Sequence, residues 1–331
     1  LETGLIWQRG LGRLVGMKHG NIANPSTSVT RRDFLLTGAA AIATAALGPV
    51  HSFATDKPAA PPSKPLVGSQ IYGWGQYYQR EGRDLNAHLD EVLSALRDAG
   101  YDYLESNVDV GTPENNARFA EQLRAKGLQP VCLYTGARLH DDKAGEVVGR
   151  ILVAAKVCRD AGFQVINCNA DPIGREKTDA ELQTQVAAMK QLGAGLRELG
   201  LRFGIHHHTP EMVNHAREFH YNFRNSAAGV VDWCFDVHWV FRGGLAPLTA
   251  LGEYADRVVS WHLRQSRAGI WWEDLAPGDV DYAAVAAAAR ARGCARRYAV
   301  ELALENGTKI TRSVVENHRR SREFVRAVFG A

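Results

Sequence analysis

The chain has 331 residues and a mass of 36.3 kDa, enough for one large domain or two ordinary ones. Hydrophobic residues at 45%, charged at 23% and aromatic at 8% fit a soluble globular protein and exclude a disordered, collagen-like or coiled-coil chain. Of the 39 Lys and Arg, five fall in residues 1–54 (Arg9, Arg13, Lys18, Arg31, Arg32), with two of the 36 acidic residues (Glu2, Asp33). The remainder is formally neutral, so charge signals no nucleic-acid partner. Five cysteines over this length make no disulfide framework.

The first methionine is Met17, and residues 1–16 read as upstream translation or a non-native start. From Met17 a polar stretch leads to Thr30-Arg31-Arg32-Asp33-Phe34-Leu35-Leu36, then to an Ala-rich apolar run over residues 37–48. This resembles the bacterial twin-arginine signal, Ser/Thr-Arg-Arg-x-Phe-Leu. Ser52 and Ala54 supply small residues for peptidase cleavage after Ala54. The apolar run is shorter than the roughly 20 residues of a spanning helix, which favours cleavage over an uncleaved anchor. The resemblance implies the twin-arginine translocase as partner, membrane contact only during export, and a periplasmic or secreted destination. Such cargo travels folded, which suits a protein that acquires a metal before export. Residues 17–54 are then the signal and 55–65 (TDKPAAPPSKP) an exposed Pro-rich linker. Residues 66–331 form the body, close to the roughly 250 residues typical of a (β/α)8 barrel.

Residues 66–72 read as the first strand. Leu85, Leu89, Val92, Leu93 and Leu96 then mark one helical stripe. Four times a glycine stands where a helix end needs the left-handed conformation, with an apolar strand directly after it. These are Gly100 before residues 101–105, Gly127 before 128–133, Gly162 before 163–167 and Gly200 before 201–205. Thr112-Pro113 places a cap and a first-turn proline before Phe119 and Leu123. Thr178-Asp179-Ala180-Glu181 is a capping box ahead of Leu182, Val186, Met189, Leu192 and Leu196. Further strands fall at residues 230–237, 258–263 and 298–302, followed by helices near 248–256, 282–292 and 312–329. Eight strands alternating with roughly eight helices predict a single-domain α/β (β/α)8 TIM barrel. An open doubly wound sheet would need a phosphate-binding glycine fingerprint after strand one, and Gly73-Trp74-Gly75 is not one.

In such a barrel, chemistry gathers at the C-terminal ends of the strands. Those ends carry Tyr72, Glu105, Asn169, His206, His208, Asp236, His238, His262, Arg264 and Glu301. Alternation places His206 with His208, Asp236 with His238, and His262 with Arg264 on common faces, and His207 on the opposite one. His206, Asp236, His262 and Glu301, one each from strands five to eight, make a set for one divalent metal ion. Two imidazoles and two carboxylates suit Mn, Co, Zn or Fe better than Mg. Cys132, Cys168 and Cys234 lie in apolar strands and read as small buried residues.

From about Leu66 onward the chain resembles the xylose-isomerase-like TIM barrels, the sugar phosphate isomerase/epimerase superfamily. That family holds one divalent metal on a Glu, an Asp, a His and a Glu at the ends of strands five to eight. Asp236, His262 and Glu301 match the last three positions. Ile205-His206-His207-His208-Thr209-Pro210-Glu211 looks like the branch carrying Tyr-His-Asn-His-x-x-Glu, with His206 in place of the metal-binding Glu. Asp236-Val237-His238-Trp239 resembles that branch's Asp-Val-Tyr-Trp. The family's common His-x-Lys-Asp is His262-Leu263-Arg264-Gln265 here, and Arg264 stays protonated, so it binds a hydroxyl or oxyanion rather than acting as a base.

The resemblance implies a metal-dependent sugar or keto-sugar isomerase or epimerase working through an enediolate-type intermediate. A keto-sugar lyase or dehydratase on the same site, and a non-catalytic carbohydrate-binding barrel, remain open. So does a metal-dependent endonuclease, which the neutral body and export signal oppose. The expected proton-transfer groups are His208 and Glu105, with Glu301 and Arg264 also catalytic. Glu211 is expected to move protons or to orient a metal-binding His. Tyr72, Trp74, Asn169 and His238 are the expected substrate contacts, although Tyr72, Trp74, Tyr77 and Tyr78 suit packing equally. The sequence carries no reading of the oligomeric state.

Overall fold

A computed structural model describes residues 64–331; the readings of 1–16, 17–54 and all but the end of 55–65 lie outside those residues. Eight parallel strands close into a barrel: β1 (Leu66–Gln70), β2 (Tyr103–Asn107), β3 (Cys132–Ala137), β4 (Val165–Ala170), β5 (Arg202–His206), β6 (Asp232–Asp236), β7 (Val258–Leu263) and, after a short hairpin, β10 (Arg297–Val300). The hairpin is β8 (Ser266–Arg267) with β9 (Ile270–Trp271). Closure leaves no free edge, since β1 pairs with β2 on one side and β10 on the other.

The helices are α1 (Ile71–Arg80), α2 (Leu89–Asp98), α3 (Glu114–Ala125), α4 (Ala144–Asp160), α5 (Asp179–Glu198), α6 (Thr209–Arg224), α7 (Val237–Arg242), α8 (Pro247–Tyr254), α9 (Tyr282–Ala291) and α10 (Val314–Phe329). Gly100, Gly127, Gly162 and Gly200 follow their helices with φ between 71° and 91°, the left-handed region their positions predict. The Thr178–Glu181 capping box forms in both directions. Among the described residues, no helix is long and apolar enough to cross a membrane.

Three local features differ from the sequence reading. The first strand stops at Gln70 rather than residue 72, and the aromatic stretch after it is helix α1. A Cβ at Gly73 would stand 2.6 Å from the Leu302 carbonyl oxygen, so this helix lies against the end of β10 only because residue 73 is glycine. The chain also turns helical directly after Asp236, so strand alternation ends there. Within α6, Asn214, His215 and Ala216 are left-handed at φ 50°, 56° and 58°. This costs roughly 1–2 kcal/mol per residue and separates a first turn carrying Glu211 from the rest of the helix.

Period-two alternation sorts the barrel interior by depth. A small buried cluster including Leu66, Tyr103, Cys132, Val165 and Ala299 plugs the inside. Two residues further along the same faces come Glu105, Tyr134, Asn167 and Glu301. The larger apolar core fills the layer between strands and helices.

Candidate active site and metal centre

Four strand-end side chains converge: His206 ends β5, Asp236 ends β6, His262 is one residue from the end of β7, and Glu301 follows β10. One ligand atom from each lies within 4.8 Å of the others, and all four residues are buried. The ring nitrogens nearest the carboxylates fit a cation: His206 Nε2 lies 3.4 Å from Asp236 Oδ2, and His262 Nδ1, buried without a hydrogen-bond partner, lies 3.1 Å from Glu301 Oε2. Two imidazoles and two carboxylates are the donor set of a borderline divalent ion.

Asp236 divides its oxygens between two tasks. Oδ1 accepts from the backbone N–H of His238 (3.0 Å) and Trp239 (2.9 Å), capping α7. Oδ2 faces the site, 3.4 Å from His206 Nε2 and 2.6 Å from an Arg264 guanidinium nitrogen. The same nitrogen of Arg264 donates to Glu301 Oε2, also at 2.6 Å. Burial would raise both carboxyl pKa values, but Arg264 foremost outweighs it. Asp236 stands well below the usual carboxylate range and Glu301 is lowered to about 2. Arg264 lies over the rings of Trp239 (5.2 Å) and Trp271 (4.8 Å) and is almost wholly buried.

The two glutamates outside the ligand set stand differently toward the imidazoles. Glu105 has no exposed surface and both its oxygens lie 3.2 Å from His262 Nε2, while Asn167 Nδ2 donates to Oε1 at 3.2 Å. β2 points it inward across the barrel, against that ring. The Glu211 carboxylate bonds to no imidazole ring among the described residues; its Oε2 accepts from the His208 backbone N–H at 2.9 Å. Its Oε1 is buried without a partner, and burial, aided by Glu218, raises its pKa to about 7.

His208 packs against His206, ring centroids 4.6 Å apart, and is partly exposed, while His207 on the opposite face packs against Phe219 and Phe223. Burial and neighbouring His206 push the His208 pKa down to about 3, so the ring is neutral. Tyr72 is 45% exposed, and its neighbours include Glu301 and Arg264. Asn169 Oδ1 accepts from the Tyr134 hydroxyl at 2.6 Å.

Two expected substrate contacts are corrected. Trp74 is a core residue: its ring stacks on His318 at 4.3 Å and its N–H donates to Ser69 Oγ. The helical twist of α1 turns it inward while Tyr72 stays exposed. His238 has no exposed surface, and its Nε2 pairs with Ser266 Oγ at 2.8 Å, because the turn into α7 carries it off the barrel face.

Sequence reasoning missed Tyr134, Asn167 and Trp239 as parts of the site. Tyr134 stands edge-on to His206, centroids 5.4 Å apart. The signal available for Asn167 was a polar amide inside an apolar strand, in phase with Asn169. All five cysteines are buried and unpaired.

Comparison with known proteins follows the same lines. Among solved structures, the chain is similar to a sugar phosphate isomerase/epimerase from Parabacteroides distasonis, with a TM-score of 0.65 and 16% identity over 83% of this chain and 98% of that one. It is similar to an L-ribulose 3-epimerase at TM-score 0.63 and 16% identity, covering 81% and 95%. A D-allulose 3-epimerase from Methylomonas sp., solved with D-allulose, gives TM-score 0.63 and 15% identity, covering 81% and 99%. Identities this low show the common fold. No curated protein matches the chain. The sequence model of the xylose isomerase-like TIM barrel matches residues 93–328, most of the chain, and the chain belongs to that family.

Proposed function

We propose that the protein is an exported, metal-dependent sugar or keto-sugar isomerase or epimerase, with one divalent ion held by His206, Asp236, His262 and Glu301. The observation that carries this reading is the convergence of those four ligand atoms within 4.8 Å at the barrel mouth. A bound ion supplies Lewis acidity toward a substrate carbonyl and its neighbouring hydroxyl. Glu105 acts as a positioning residue: by engaging Nε2 of His262 it leaves Nδ1 directed at the ligand set. His208, partly exposed and beside His206 but outside the ligand set, accepts and returns the proton at the carbon beside the carbonyl, with Glu301 as the carboxylate at the same centre. Tyr72, Tyr134 and Asn169 supply the ring face and hydroxyl contacts of the mouth.

Metal-loaded protein in D₂O, offered ketoses such as D-allulose and L-ribulose alongside oxidised sugars, is expected to exchange one carbon-bound proton for deuterium. The exchange is lost with EDTA and returns with Mn²⁺ or Co²⁺. Protein with full metal content that exchanges no proton on any of these sugars refutes the reading. Substituting His208 lowers turnover while metal content stays intact.

A keto-sugar lyase is the second reading. It is favoured by His206, which leaves Glu301 without the matching strand-five carboxylate that two-faced epimerisation uses in the family. The same spectra separate the two, since elimination yields a deoxy product instead of an epimer. Export belongs to the proposal too. Arg31→Lys with Arg32→Lys is expected to retain unprocessed protein in the cytoplasm, and a processed periplasmic species refutes that part.

A further inference from the structure

We infer that Arg264 is a built-in cation that competes with the metal for Asp236 and Glu301, so that metal binding must displace its guanidinium. The inference rests on the metal reading above and concerns how tightly the site takes its ion.

The geometry is specific about which oxygens are shared. Asp236 Oδ1 is committed to the N-terminus of α7, which leaves Oδ2 as the oxygen facing His206. Glu301 Oε2 is the oxygen nearest His262 Nδ1. Arg264 donates through one nitrogen to both of these oxygens, at 2.6 Å each. The guanidinium therefore takes the two anionic donors of the candidate ligand set. A divalent ion on the same oxygens would face a full positive charge a few ångströms away inside a buried site, where repulsion is weakly screened.

The position is built rather than incidental. Arg264 is 2% exposed, and its guanidinium lies over Trp239 and Trp271, whose rings meet edge-on at 5.1 Å. Trp271 is tied in turn by its backbone N–H to Glu305, which also pairs with Arg242. Yet Arg264 Nε, part of the same guanidinium, is buried with no partner. Among the described residues the head is held by two carboxylates and two aromatic faces, with no further hydrogen bond to stop it leaving the carboxylates. Charge-assisted bonds of this kind are strong, so their exchange for metal bonds sets a substantial part of the apparent metal affinity.

The test is metal binding, read without turnover. EDTA-stripped wild type and Arg264→Met, which keeps the stem and removes the charge, are titrated with Mn²⁺ while free ion is counted by EPR. Arg264→Met is expected to bind at least about tenfold more tightly. Its stripped form is expected to melt below stripped wild type, because two buried carboxylates then lack their counter-charge. Equal or weaker binding by folded Arg264→Met, with wild type still binding Mn²⁺, overturns the inference and leaves the metal reading standing. Binding by Arg264→Met alone upholds the inference and removes the metal-dependent reading for the native chain. No binding by either protein overturns both. Should Arg264→Met fail to fold, Arg264→Lys takes its place. A point charge without the planar fork is expected to compete less well, so equal or weaker binding by that variant also overturns the inference.

Discussion

The carboxylate of Glu105 meets Nε2 of His262 with both oxygens at 3.2 Å, across 157 residues of sequence. A buried imidazole anchored through one nitrogen presents the other in a fixed direction, which is what a metal ligand requires. Glu105→Ala is expected to weaken metal affinity about 10–100-fold, as loss of an orienting partner does. Equilibrium dialysis against Mn²⁺ measures it. Unchanged affinity with lost turnover would instead make Glu105 a proton-transfer group.

The support reaches one strand further. Asn167 donates to Glu105 and accepts from Ser260 Oγ at 2.9 Å, and its amide sits where a side chain at residue 204 would be. A Cβ on Gly204 would stand 2.4 Å from Asn167 Oδ1 and 3.0 Å from Val259 Cγ2. Gly204→Ala is expected to destabilise by about 1–3 kcal/mol, measured by urea unfolding. Adding Asn167→Ala makes room, so the double variant should lose less than the sum of the singles.

Removing Asp236 leaves Arg264 with one carboxylate and strips two backbone N–H groups of α7 of their acceptor. Breaking a buried ion pair from one side costs about 3–5 kcal/mol. Asp236→Ala, studied without metal so that ligand loss does not enter, should fall in that range by denaturant unfolding. A loss below about 1 kcal/mol would mean that Arg264 finds other partners and that its pairing here matters little to stability.

A pH effect is expected from a buried histidine outside the ligand set. His318 is buried, with Nδ1 at 2.8 Å from the Val314 carbonyl and Nε2 at 2.9 Å from Ser69 Oγ. The carbonyl can only accept, so Nδ1 carries the proton and Nε2 accepts from Ser69. Burial lowers the His318 pKa from 6.5 to about 4. The unfolded chain therefore takes up a proton first as pH falls. Stability should be level above about pH 7 and decline between about 6.5 and 4, by about 3 kcal/mol in all for this group. His318→Gln should flatten that part of a stability-versus-pH curve.

The short helices α1 and α7 show where local sequence stops deciding. Ile71-Tyr72-Gly73-Trp74-Gly75 holds two glycines and two aromatics, all poor helix formers. The segment is helical because Trp74 buries against His318 and because glycine at 73 permits contact with Leu302. Val237–Arg242 is helical because Asp236 caps it, a use of that carboxylate invisible in a strand pattern.

The eight barrel strands and the long helices between them were legible in the residues alone, since glycine stops, the capping box and apolar periodicity are local and each carries its own physical signal; α1, α7 and the β8–β9 hairpin were not. The same signals put Glu105, His206, Asp236, His262 and Glu301 at the ends of their strands, but Tyr72 and His238, read with them, lie in α1 and α7. What those residues do to one another follows from the closed barrel alone. Barrel closure brings Glu105 of β2 to His262 of β7 and sets Arg264 between Asp236 and Glu301. Pairings of this kind span many tens of residues and depend on strand register and side-chain rotamer, neither of which local spacing encodes.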